Sequence, residues 1–123
     1  MRRRVVLGAL LVMLSPVAAQ AMTVDEFLNK AAALKTKGMA AMLSPDIGLL
    51  RDEVKAAGES YRAEIEAARA AGTAPRACPP PKGQAKVDSD TLLASFRTIP
   101  PARRTMSVKT AFFSFMDKRY PCP

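Results

Sequence analysis

Few residues in this chain have side chains able to do chemistry, and their spacing works against most of it. Three close carboxylate pairs are candidates: Asp52/Glu53, Glu64/Glu66 and Asp88/Asp90. A hydrolase would want two of them converging on one bond, one as acid and one as base. Adjacent and i,i+2 residues on a helix point apart, so local spacing brings none of these pairs together. Asp88-Ser89-Asp90 starts like a calcium loop, but a hydrophobic helix follows where further oxygen ligands are needed. Histidine is absent, and there are only two cysteines, Cys78 and Cys122. That removes a Ser-His-Asp triad, a Cys-His dyad and the four-ligand zinc sites built from cysteine and histidine. No phosphate-cradling glycine motif and no nucleophile elbow occurs. The expectation is a chain that is not an enzyme, with no catalytic residue, no cofactor and no metal.

What positions the two cysteines begins with the N-terminus. Arg2, Arg3 and Arg4 precede residues 5–14, a run of ten without a polar side chain. Ser15-Pro16 breaks the run, and Ala19-Gln20-Ala21 is a small-x-small cleavage pattern. These are the three regions of a secretory signal peptide, expected over residues 1–21 and cut between Ala21 and Met22. A membrane anchor is the competing reading, but ten helical residues reach only about 15 Å, about half the hydrocarbon thickness. No lipid-attachment cysteine follows the leader, and no later apolar run is long enough to span a membrane. The mature chain, residues 22–123, is therefore expected as a single periplasmic domain without a transmembrane segment. Losing three Arg and no acid lowers its net charge from +8 to +5.

Export takes Cys78 and Cys122 to where thiols oxidise. One bridge between them leaves no odd thiol. It closes a loop of about 45 residues, for which the chain-entropy model gives about 4 kcal/mol. A redox-active pair is disfavoured, because there is no C-x-x-C. Export also argues against nucleic acid as a partner, and no basic run interleaves with aromatics.

The helical pattern is clear. Thr23-Val24-Asp25-Glu26 reads as a capping box, followed by Phe27, Leu28, Ala31 and Leu34 at helical spacing. Gly38 stops or bends that helix, and a short apolar piece, Met39-Ala40-Ala41-Met42-Leu43, leads to Ser44. Ser44-Pro45-Asp46 opens a second helix with a cap, a proline at N1 and an acid in the first turn. Its stripe of Ile47, Leu50, Val54, Ala57, Tyr61, Ile65 and Ala68 is nearly heptad, and Gly72 ends it. The stripe reads as core-facing, with a dimer seam as the alternative. Residues 73–87, with Pro75, Pro79, Pro80, Pro81 and Gly83, form an extended strap that contains Cys78.

Asp88 or Ser89 caps a third helix carrying Leu92, Leu93 and Phe96, which Ile99-Pro100-Pro101 terminates. Thr105 or Ser107 opens the last helix, whose apolar set is Val108, Ala111, Phe112, Phe115 and Met116. Phe113 falls off that set and is expected as an exposed contact. No alternating strand pattern, hairpin turn or repeat occurs. The fold class is all-α: four to five helices with one long central helix, tied by one disulfide. The core is expected near residues 27–34, 47–68, 92–96 and 108–116.

The C-terminal part has a recognisable order. Ala77-Cys78-Pro79-Pro80-Pro81 is followed by a capped helix ending in Ile99-Pro100, then Ala102-Arg103-Arg104, a helix with Ala111-Phe112, and Tyr120-Pro121-Cys122. This resembles the type VI secretion amidase immunity (Tai-like) family, mainly over residues 77–123. The earlier mature residues match only in being helical. The resemblance implies a disulfide-tied helical periplasmic protein, often a homodimer. Its role would be to inhibit a secreted peptidoglycan-hydrolysing amidase by occluding the substrate cleft. The alternative is a non-enzymatic envelope module that binds an anionic cell-wall or membrane-surface ligand through its positive charge. For either partner, the candidate contacts lie near the strap and after the third helix: Arg76, Lys82, Lys86, Arg103, Arg104 and Phe113.

Overall fold

The computed structural model describes residues 21–123. The leader expected over residues 1–21 lies outside the described residues except for its last residue. Four α-helices follow in order: α1 Val24–Lys37, α2 Pro45–Ala70, α3 Ser89–Arg97 and α4 Val108–Arg119. Short 3₁₀ turns, Gly38–Leu43 and Pro101–Arg103, lie between α1 and α2 and between α3 and α4. Among the described residues there is no β-strand, only one isolated antiparallel bridge between Thr23 and Ser107.

Each helix starts where its local chemistry satisfies the first free amide groups. The Thr23 hydroxyl accepts from the Glu26 amide while the Glu26 carboxylate accepts from the Thr23 amide, which completes the capping box. Ser44 caps α2 ahead of Pro45, Asp88 caps α3 and Ser107 caps α4. The end of α2 is equally local. Gly72 has φ 70°, and the amides of Thr73 and Gly72 donate back to the carbonyls of Ala68 and Arg69. This is a Schellman closure, which glycine adopts without a Cβ clash.

The starts of α1 and α4 also serve each other. The amides of Val24 and Asp25 donate to the carbonyls of Met106 and Arg104, and the Val108 amide donates to the Met22 carbonyl. The core then forms mainly between α2 and α4, with α1 packed on α2 and α3 packed on α1 and α4. Phe27 packs edge-on against Phe96, with ring centroids 5.5 Å apart, and Tyr61 packs edge-on against Phe113 at 5.0 Å. Val24, Phe96 and Val108 are fully buried.

The strap crosses the bundle and is fixed at the cysteines. Cys78 and Cys122 form a disulfide, and the Cys78 amide donates to the Tyr120 carbonyl at 2.8 Å. Ala77, beside the bridge, is 0% exposed.

Candidate functional site

The long stripe of α2 is used in two ways. Leu50, Ala57, Tyr61 and Ile65 are buried. Ile47, Val54 and Ala68 are only half-buried, and Ile47 and Val54 lie at the side of a groove of about 810 Å³. Phe27 of α1, Leu92 of α3 and Phe112 and Met116 of α4 line its apolar interior. Lys82, Gly83, Ala85 and Val87 of the strap line it as well. The strap is not extended throughout as expected: it turns at residues 81–84, where Gly83 has φ 89° and the Gln84 amide donates to the Pro81 carbonyl at 3.0 Å. Gly58 sits in the same lining, where an added Cβ would meet Phe112 Cζ at 3.9 Å.

Charges surround the groove unevenly. Arg51, Lys55, Arg62 and Lys82 line it against only two acids, Glu59 and Asp88. Both acids are already engaged. Lys55 lies 3.9 Å from Glu59, and the Asp88 carboxylate accepts from the Thr91 amide and hydroxyl at 2.8 and 2.9 Å. Those two hydrogen bonds hold the Asp88 carboxyl below its ordinary range. Arg62 and Lys82 also line a smaller hollow of about 390 Å³, together with Arg69, Glu66 and Pro79–81. There Arg62 Nη1 donates to the Pro80 carbonyl at 3.1 Å, and Arg69 pairs with Glu66 at 3.6 Å.

A convex feature lies at the turn between α1 and α2. Gly38, at φ 56°, turns the chain out of α1 into the 3₁₀ segment. Met39 and Leu43 are about nine-tenths exposed, and Met42 and Leu49 are exposed as well. Lys35 and Lys37 precede this knuckle in the last turn of α1. Lys30 of α1 reaches Asp46 of α2 at 3.2 Å across the turn.

The contacts expected near the strap divide sharply. Phe113 is not an exposed contact: it is 7% exposed and lies in the core. Tyr61 packs on it, and the Arg76 guanidinium lies 4.8 Å from its ring centroid. One face of α4 meets α2 and the strap arginine covers the next, so two consecutive aromatics are both shielded. Phe115, placed in the expected apolar set, is only half-buried. Arg76 is held by Asp117 and Glu64. Arg104 is half-buried and donates to the carbonyls of Ile99 and Arg97. Lys82, Lys86 and Arg103 are exposed. Of the six, the groove brings in only Lys82.

The carboxylate pairs do not converge. Glu64 turns to Arg76, Glu66 to Arg69, and Asp88 to its cap, while Asp52 and Asp90 are exposed. Among the described residues, no group of three or more metal-ligating side chains comes together. No described helix is long and apolar enough to cross a membrane. Sequence reasoning misses the groove, because the stripe of α2 does not say which of its residues a neighbour covers. Comparison with family models, with curated proteins and with solved structures returns no match for this chain.

Proposed function

We propose that the chain is an exported, non-catalytic inhibitor of the immunity type. It binds a peptidoglycan amidase effector and occludes its substrate cleft. The observation that carries this reading is the knuckle of Met39, Met42 and Leu43, with Lys35 and Lys37 before it. Large apolar side chains gathered on one convex corner are what a protein cleft would bury. Each would contribute about 1.5–3 kcal/mol on full burial. The lysines would speed encounter with an acidic cleft rim, in a salt-dependent way.

The basic, apolar and small-x-small leader and the order of motifs over residues 77–123 support the same reading. Inhibition then needs no bond-breaking group of the inhibitor. The Lys30–Asp46 pair, at 3.2 Å, ties α1 to α2 beside the knuckle.

The test mixes the chain, purified from an oxidising periplasm, with secreted peptidoglycan amidases, beginning with any that a neighbouring gene encodes. A stoichiometric complex and loss of wall digestion are expected. Met39→Asp combined with Leu43→Asp should abolish both without changing the melting temperature. Absence of a complex, or inhibition undisturbed by the double variant, would refute the reading.

A further inference from the structure

We propose that the groove beside α2 binds a single-chain amphiphile with an anionic head. The acyl chain lies on the apolar interior and the head sits at the strap end, beside Arg62 and Lys82. This goes beyond the inhibitor reading and rests on a different surface.

Three observations carry it. The first is size and lining: about 810 Å³ falls within the range of small-molecule sites, about 300–1,000 Å³. Phe27, Leu50, Val54, Leu92, Phe112 and Met116 offer no charge to an alkyl chain. The second is where the basic side chains lie: Arg51 and Lys55 line the groove too, but only Arg62 and Lys82 are shared between the apolar groove and the smaller hollow beside the prolines. An anionic head placed at that junction meets two cations, with the apolar lining left to the chain.

The third is charge. The Arg62 guanidinium uses one N–H on the Pro80 carbonyl and keeps donors for a carboxylate or phosphate. Lys82 makes no ion pair among the described residues. The acids nearby are taken: Glu59 faces Lys55, Glu66 faces Arg69, and Asp88 caps α3. A second copy of the chain on this face would bring basic rim against basic rim, which disfavours it.

The test uses palmitate below its micelle concentration and the full disulfide-bonded chain. Displacement of a fluorescent fatty acid and native mass spectrometry report binding. One palmitate per chain is expected, with hexadecanol binding at least tenfold more weakly for want of the charge. Lys82→Glu, at an exposed position, should weaken palmitate at least tenfold with an unchanged melting temperature. Gly58→Leu should block uptake by filling the groove beside Phe112. If Gly58→Leu does not fold, Lys82→Glu and hexadecanol still decide. No uptake of palmitate would overturn the proposal, as would uptake that neither Lys82→Glu nor loss of the charge weakens. Binding to vesicles of anionic phospholipid without uptake of monomeric palmitate would also overturn it, assigning the face to a membrane surface. None of these readouts involves an amidase, so this proposal and the inhibitor reading fail separately.

Discussion

Arg76 of the strap grips Asp117 of α4 across 41 residues of sequence. Its Nε lies 3.1 and 3.2 Å from the two carboxylate oxygens, and its Nη2 lies 3.0 Å from Oδ2. The remaining arm, Nη1, reaches Glu64 of α2 at 3.1 Å. Below, the Tyr61 hydroxyl donates to Asp117 Oδ1 at 2.8 Å. One carboxylate therefore joins the strap, α4 and α2. Burial first, and then the Asp117 hydrogen bond, push the Tyr61 phenol well above its ordinary range. The hydrogen bond to Asp117 likewise pushes Arg76 further up. Neither Tyr61 nor Arg76 changes charge near neutral pH.

Removing the carboxylate should cost more than removing the hydroxyl. Asp117→Ala leaves the buried Tyr61 hydroxyl and the Arg76 fork without their acceptor, at about 1–3 kcal/mol for the stranded hydroxyl. Tyr61→Phe removes one donor and leaves the Arg76 pair intact, at about 1 kcal/mol. Denaturant unfolding of both variants and the double variant checks the order. Equal losses would mean that the carboxylate does not serve as the shared acceptor.

Cys78→Ser should be the most destabilising change outside the core. The bridge spans a sequence separation of 44, and the chain-entropy model gives about 4 kcal/mol for such a loop. Thermal melts in oxidising buffer, compared with the reduced wild type, read this directly. The two should melt alike.

Gly58→Ala should stabilise the protein by about 0.5–1 kcal/mol. Gly58 lies inside α2, and the new Cβ would meet Phe112 Cζ at an ordinary contact distance of 3.9 Å. A higher denaturation midpoint with an unchanged slope is the expected result.

Asp88 supplies a pH dependence with a definite sign. Its carboxyl is held below the ordinary range by the Thr91 amide and hydroxyl. The stability it contributes is complete above the ordinary Asp value of about 3.9 and is lost as pH falls through its lowered value. Asp88→Ala should therefore melt lower than wild type at pH 7. The two melting curves should draw together toward pH 2.

The helix ends are legible in the sequence, because caps are local chemistry. Thr23 with Glu26, Ser44 with Pro45, and Gly72 each act within a few residues of their own position. The sulfur pairing is legible because only two cysteines have to be matched. Phe113 is not, since helical periodicity describes one covered face and α4 has a second, made by Arg76 from the strap. Ala77 is completely buried, yet nothing in its neighbourhood announces it; the bridge and the strap's path bury it. The groove depends on where α1, α3 and the strap stop, which no stripe on α2 encodes.

The clasp between Met22 and Val108 has a mechanical consequence. The start of α4 is fastened to residue 22, and its far end is tied to the strap through Tyr120 and the sulfur bridge. A pull applied to residues 22 and 122 would load α4 first and leave α1, α2 and α3 slack. Once the clasp parted, only the chain before Cys78 would pay out, because the covalent loop behind it has no free end to yield.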